Sequence, residues 1–390
     1  MSRARENADG ARLNQTARNL LAPLASPTFT GTTTVLGDLV PSTPMSHRNI
    51  LINGAMTVAQ RGTSSTSSGY QTVDRFKSAF STGGTWTQSQ STDSPAGFAN
   101  SYKNECTVAE TDMANMGYAM IQQKIEGQLL QHLDFGTASP KKFTLSFWVK
   151  SSLTGTHVCQ LHAPYIATTE YNSHAYTVNV ADTWEYKTIT WTGDTGDVIP
   201  NDFESSIRIY WFLAAGNGYG SGTLTNDLWH TTTANRAAGQ VNLAGTVGNT
   251  FYLTGTQLEI GESATPFEHL GFGDELVRCQ RYYQKSTPYA TYPAHAQDGR
   301  YETSVPYTTN VCKMAFTLIG SMRGAPNMTF YGNAAGSGSK VGTYDGGSWS
   351  LSAVILSNTL GDGHVSIEIT AGTTDAALLV NYQYEAEKEL

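Results

Sequence analysis

Charge is scarce in this chain: of 390 residues only 14% are Asp, Glu, Lys or Arg. The 24 basic and 32 acidic residues leave a net charge of −8 with no concentrated basic stripe, which argues against a nucleic-acid partner and reads as a solvated surface. Cysteine is sparse too. Cys106, Cys159, Cys279 and Cys312 lie far apart and form no CxxC pair, so no metal cluster is expected and each reads as a small buried apolar residue. No apolar run approaches the ~20 residues of a membrane span, and Met1–Gly10 lacks the apolar core of a secretory signal. No membrane insertion is therefore expected, and assembly is expected in a cytoplasm. Enzyme signatures are missing as well: no GxSxG, HExxH, Walker loop or GxGxxG ahead of a helix, and no two-His zinc spacing. The expectation is a non-enzyme with no catalytic residue, no metal and no cofactor. Carboxylates from separate loops, about 5 to 10 Å apart as glycan cleavage needs, escape motif reading.

Ser, Thr, Gly and aromatic residues are abundant, which predicts a mainly β chain. At its start, Leu13, Ala17, Leu20 and Leu24 follow a 4-3-4 spacing that predicts a short helix, broken by Pro23 and too brief to stand without partners. Arg3, Arg5, Arg12 and Arg18 make it basic, as a solvated face or a docking surface for an acidic ring. Phe29, Val35 and Leu39 follow in a Thr-rich extended stretch that buries almost nothing in one chain. Three copies around an axis would let these side chains face one another and close the strand edges, so residues 1–45 are expected to form an attachment helix and a triple-stranded β neck of a homotrimer. Pro41 and Pro44 end the neck.

Residues 46–270 read as an antiparallel β-sandwich of jelly-roll type. In Lys142–Lys150, Phe143, Leu145, Phe147 and Val149 take one face, and in Trp184–Thr192, Ile189 and Trp191 oppose Trp184, Tyr186 and Thr188. Ile207–Leu213 is apolar on both faces, as in a central strand. Ile121–Leu133 allows a helical reading that Gly127 weakens. Asn53-Gly54 fits either a type I′ hairpin or an extended strand. Gly255 suggests a bulge or close backbone approach within Phe251–Leu258.

Beyond Gly271 and Gly273 the period changes. Leu276, Cys279, Gln280 and Tyr283 recur at three- and four-residue spacing, behind Asp274 and Glu275, which predicts a linker helix over 271–286. Residues 287–390 read as a smaller, distal β-sandwich with strands at Met314–Leu318, Met328–Tyr331, Ser350–Leu356, Val365–Thr370 and Leu378–Tyr384. Gly332–Gly342 and Asp345–Gly347 read as turns, and Glu385–Leu390 as a solvated tail or strand terminus.

Ligand-binding candidates are aromatic side chains off the presumed core faces, because flat rings stack on sugar C–H groups while amides and carboxylates take hydroxyls. They are Trp86, Trp148, Trp184, Tyr186 and Trp229, with Gln88, Asn172, His174 and Asn226 nearby, and Tyr289, Tyr292, His295, Tyr301, Tyr307 and Trp349 further on. The chosen set is Trp148, Trp184, Trp229, Tyr301 and Trp349. A Trp in a β-sandwich is more often packing than contact.

Three stretches carry a family resemblance. QLEIGxxATPFEHLxFGxELxxCQRYYxK at Gln257–Lys285, NILINGAMTVAQRG at Asn49–Gly62 with YQTVDRF at Tyr70–Phe76, and LASPTFTGTTTVLGDL at Leu24–Leu39 resemble, in themselves and in their order along the chain, bacteriophage tail-fibre and related appendage proteins. NILINGAM is also similar to the first strand of carbohydrate-binding jelly rolls, but Ala55, Met56 and Thr57 depart from that pattern and Gly255 stands where a calcium-binding Asp would be, so no metal follows. The resemblance implies a trimeric virion appendage, assembled in a host cytoplasm and attached to tail or baseplate proteins through its N-terminus. Its implied partner is a host cell-surface glycan or protein. Two other readings are a structural adaptor without receptor binding and a capsule depolymerase, although the long β-helix repeat of such enzymes does not appear.

Overall fold

The computed structural model describes residues 46–165, 169–289, 300–308, 311–331, 340–344, 349–355, 363–370 and 379–390. Ser46–Leu390 forms one compact unit. The expected N-terminal helix and neck, with Leu13, Leu20, Phe29, Val35 and Leu39, lie outside the described residues, as do Tyr292, His295 and the turn at 345–347.

Twelve strands build the sandwich. They are β1 (Ser64–Ser65), β2 (Lys77–Ser81), β3 (Thr85–Ser91), β4 (Ser101–Val108), β5 (Tyr118–Glu126) and β6 (Lys142–Ser151). Then come β7 (Gly155–Ala163), β8 (Glu170–Val178), β9 (Glu185–Thr192), β10 (Ser205–Ala215), β11 (Trp229–His230) and β12 (Thr250–Ile260). The front sheet has the order β1-β3-β4-β12-β6-β9 and the back sheet β11-β8-β7-β10-β5-β2, so the chain alternates between layers in jelly-roll fashion. Strand alternation sets the core: Phe143, Leu145, Phe147 and Val149 of β6 and Ile189 and Trp191 of β9 all point inward, as expected. Across from them, Phe147 meets Trp211 of β10 edge to face at 6.0 Å. β10 lies between β7 and β5 and is buried on both faces from Ile209 to Ala214.

The helical reading of Ile121–Leu133 gives way to β5 followed by two short 3₁₀ turns, Gly127–Leu129 and Gln131–Leu133. Ile121 and Ile125 belong to the core, and Gly127 is pressed so close to Pro200 that a Cβ would sit 2.1 Å from its carbonyl oxygen. Neither reading of Asn53-Gly54 holds. The segment is a buried turn: Asn53 has φ +62°, and the N–H of Met56 donates to its carbonyl at 2.9 Å. The bulge at Gly255 is present, with φ +59° and a register shift between Thr254 and Gln257.

The residues of the resembling stretches mostly hold one another. Asn49 Oδ1 accepts from the N–H groups of Leu51 and Leu258, and its amide donates to the Thr256 carbonyl. Glu259 takes the N–H and hydroxyl of Thr265, and Glu268 takes the N–H groups of His47 and Asn49. Gln123, reaching out of β5, both accepts from and donates to the backbone of Ile52, standing in for a strand partner. Buried amides satisfied in this way fix an irregular segment that has no ladder of its own.

The helix α1 spans Phe272–Gln280. It is packed against the sandwich: the Glu275 carboxylate accepts from the N–H of Asn53 at 2.5 Å, and Cys279 joins Ile52, Val58 and Tyr282 in a small apolar cluster. Tyr283, expected on that helix, instead opens β13 (Tyr283–Lys285). The strands that follow are β14 (Arg300–Thr303), β15 (Val305–Thr308), β16 (Val311–Thr317), β17 (Asn327–Tyr331), β18 (Lys340–Tyr344), β19 (Trp349–Ile355), β20 (His364–Thr370) and β21 (Leu379–Glu387). With β13 they form a single nine-stranded sheet among the described residues, where a second sandwich was expected. Its spine is β21, which pairs with β14 and β18 along one half and with β13 and β17 along the other.

Of the two readings of Glu385–Leu390, the strand terminus holds and the solvated tail does not. The strand runs to Glu387, and the residues beyond it wedge against the sandwich: the Lys388 N–H donates to the Tyr282 carbonyl at 2.8 Å, and Lys124 donates to the Leu390 carbonyl. Arg61 and Arg75 both pair with Glu389, whose side chain is 6% exposed. Arg75, 1% exposed, also lies 3.4 Å over the ring of Tyr282. All four cysteines are free and buried, as expected.

Candidate functional site

Inward Leu253 of β12 and Val149 of β6 fix the parity of their strands, so Tyr252, Trp148 and Lys150 project from the outer face of the front sheet. Register places Trp148 opposite Tyr186 of β9, with ring centroids 5.4 Å apart. Trp184, just ahead of β9, meets Tyr252 edge to face at 6.1 Å. The result is a platform of four rings, three half-buried and Tyr186 45% exposed.

Polar groups border it. Trp184 Nε1 donates to Asp93 Oδ1 at 3.1 Å, and Lys150 pairs with the other Asp93 oxygen while lying 4.3 Å over the Tyr252 ring. The hydrogen bond from Lys150, helped by that from Trp184, holds the Asp93 carboxyl below its usual range. At the neighbouring corner, burial would raise Glu185, but hydrogen bonds from Lys187 and from Val180 and Asn179 bring it down to about 2. Gly255 completes the geometry. A Cβ there would meet Phe98 at 2.7 Å and Trp148 at 3.0 Å, so only glycine lets both rings lie against β12. Phe98 in turn contacts Phe267 at 5.0 Å.

Of the residues selected from sequence, Trp148 and Trp184 come together here. Trp229 is elsewhere: its Nε1 donates to the Thr192 carbonyl at 3.0 Å and its ring sits edge-on to Phe135 of the core at 5.8 Å. Tyr301 and Trp349 fall on β14 and β19 of the C-terminal sheet, away from this face, and their side chains lie outside the described residues. Trp86 is a core residue with no exposure, its Nε1 donating to the Gly83 carbonyl, and Gln88 beside it is buried under Tyr102 and the Ser67 and Gly69 carbonyls. Asn172 also points inward, and His174 sits edge-on to Trp191. Sequence reading missed Tyr252, which the alternation of Phe251 and Leu253 could have supplied. Asp93 and Phe98 arrive from an irregular loop with no periodic signal.

Among the described residues no cluster of His, Cys, Asp or Glu could hold a metal ion, and no helix is long and apolar enough to cross a membrane. No protein-family model matches the sequence, and comparison with curated proteins gives no match. Similar solved structures include the enzymatically active domain of bacteriophage CBA120 tailspike protein 4, at 12% identity over 54% of this chain and 21% of that one, with a TM-score of 0.29. The chain thus spans well under two thirds of that protein. Two others are a family 11 carbohydrate-binding module from Clostridium thermocellum in complex with a β-1,3-1,4-mixed-linked tetrasaccharide (12% identity, 52% and 98% covered, TM-score 0.26) and a family 16 carbohydrate-binding module (16%, 44% and 84%, 0.21). At these scores the likenesses carry no argument, and the reading below rests on this chain's own residues.

Proposed function

We propose that this protein is a non-enzymatic saccharide-binding appendage of a bacteriophage particle. One observation carries the saccharide reading: Trp148, Trp184, Tyr186 and Tyr252 share one outward sheet face, with Asp93 and Lys150 at its rim. Rings of this kind stack on the apolar faces of pyranoses, and the rim groups take hydroxyls. The three tail-fibre-like stretches support the virion setting. In this reading the helix and neck built on Leu13, Leu20, Phe29, Val35 and Leu39 hold three copies together and dock onto tail or baseplate proteins, and the platforms grip a host-surface glycan. Roughly millimolar single contacts become useful when several act together.

Glycan-array binding of the full chain, followed by titration of the best neutral oligosaccharide, tests this. Trp148→Ala is expected to weaken binding about tenfold or more, with sedimentation giving three times the mass of one chain. Binding that Trp148→Ala and Tyr252→Ala leave intact would remove the platform from the account, and a monomer would remove the appendage.

A further inference from the structure

The back sheet carries a second surface of different chemistry. Register aligns Lys124 of β5, Arg208 of β10, His162 of β7 and Tyr171 of β8 in one row across four strands. Their sequence neighbours Ile125, Ile207 and Leu161 point into the core, so this row faces outward, and all four side chains are half-buried. At ~4.8 Å between strands the row is about 15 Å long. Arg236 reaches it from the 231–240 segment. Arg236 is 7% exposed, and its guanidinium lies 4.1 Å over the Tyr171 ring while its Nε–H donates to Gln160 Oε1 at 2.9 Å.

Lys124, at one end of the row, already donates to the Leu390 oxygen and feels Glu389, but the two arginines lack acid. Among the described residues neither Arg208 nor Arg236 has a carboxylate within ion-pair distance. The carboxylates on the adjoining side are taken: Glu389 by Arg61 and Arg75, and Glu126 by Arg281. Burial and then Arg236, Arg208 and Lys124 push His162 down to about 3, and burial with Arg208 and Lys77 pushes Lys124 down to about 8. Leaving a nearly buried guanidinium without a counter-charge is unfavourable, and in a chain of net charge −8 two neighbouring arginines without an acidic partner are a local exception.

We propose that this row, Lys124, Arg208, His162 and Tyr171 with Arg236 behind it, is a binding site for a carboxylate-bearing saccharide. Arg208 receives the carboxylate with Arg236 behind it, and the Tyr171 and His162 rings, in contact at 5.1 Å, form one wall against which the sugar lies. Its length suits about three sugar units, and the net negative charge of the whole chain disfavours a long polyanion such as a duplex. The site is on the sheet opposite the platform and does not depend on it.

The test is calorimetric titration of the full-length protein at low salt with three probes: a galacturonate trisaccharide, the galactose trisaccharide that lacks only the carboxylates, and a twelve-base-pair DNA duplex. The galacturonate probe is expected to bind at least tenfold more tightly than the neutral one. Arg208→Gln is expected to weaken it about tenfold while Lys142→Gln, an exposed lysine of the front sheet outside the platform, leaves it unchanged, and Lys124→Gln supplies the same comparison if Arg208→Gln does not fold. Absence of galacturonate binding, equal affinity for both trisaccharides, indifference to these two variants, or tighter binding of the duplex would each overturn the proposal.

Discussion

Replacing Glu389 by Gln keeps its volume and removes its charge, and the surroundings let the consequence be worked out. Two buried cations face that carboxylate. Arg61, 8% exposed, retains Glu387 at 3.3 Å and Asp74 at 3.9 Å, so it loses only one of three partners. Arg75 retains no carboxylate among the described residues, only the Tyr282 ring and the Lys124 carbonyl at 2.8 Å. Removing one member of a buried pair costs about 3 to 5 kcal/mol, and a desolvated cation–π contact offsets about 2. The expected loss is therefore about 1 to 3 kcal/mol, nearly all of it from Arg75. Adding Arg75→Met to Glu389→Gln removes the orphaned charge and is expected to recover at least about 1 kcal/mol. Urea unfolding read by tryptophan fluorescence reports mainly the sandwich, which holds all the tryptophans but Trp349, while hydrogen exchange in Leu379–Glu387 reports the spine of the other sheet. Both signals are expected to shift together, because the wedge touches both. A loss below about 1 kcal/mol, or a double variant whose loss equals the sum of the two single ones, refutes the reasoning.

Three further outcomes are expected. Gly255→Ala, forced to φ +59° with its Cβ against Phe98 and Trp148, is expected to destabilise by about 1 to 3 kcal/mol and to weaken saccharide binding by displacing Trp148; paired unfolding and titration check it. His157 is fully buried and burial pushes it down to about 4, so its unfolded form takes up a proton first. Its share of stability is then complete above about pH 6.5 and declines by up to about 1.4 kcal/mol per pH unit on the way to pH 4, so His157→Gln should make urea midpoints measured across that range less steep by that share. If the neck holds three copies as proposed, Phe29→Asp is expected to give single chains in sedimentation, since a charge cannot be buried at a shared axis.

How much of this was legible follows from parity. β6 and β9 alternate cleanly, so Phe143 to Val149 and Ile189 with Trp191 could be assigned inward, and Trp148 and Tyr186 outward, from residue types alone. β3 could not be read this way, because its inward face carries Trp86 and Gln88 side by side with no aliphatic residue, and a register shift falls between Thr85 and Trp86. Gln88 is buried only because Tyr102 and two loop carbonyls satisfy its amide, a fact that depends on residues distant in the chain. The same holds at Glu385–Leu390. Four charged side chains in six residues read as solvent-facing until Arg61 and Arg75 are brought over from the sandwich. The cationic row was invisible for the complementary reason: Lys124, His162, Arg208 and Arg236 are scattered over more than 100 residues and become neighbours only through strand register.

The position of β21 bears on how the molecule is made. The strand that joins four partners is the last of its nine to leave the ribosome, so β13 to β20 are synthesised before the element that unites them exists. Their unpaired edges must wait, at ~5–20 residues per second for several seconds, beside a sandwich that is already free to fold. Translation that stops shortly before Leu379 would therefore leave β13, β14 and β17 without their ladder partner and β18 with an open edge, adhesive strands that chaperones and proteases would meet in place of a slightly shortened protein.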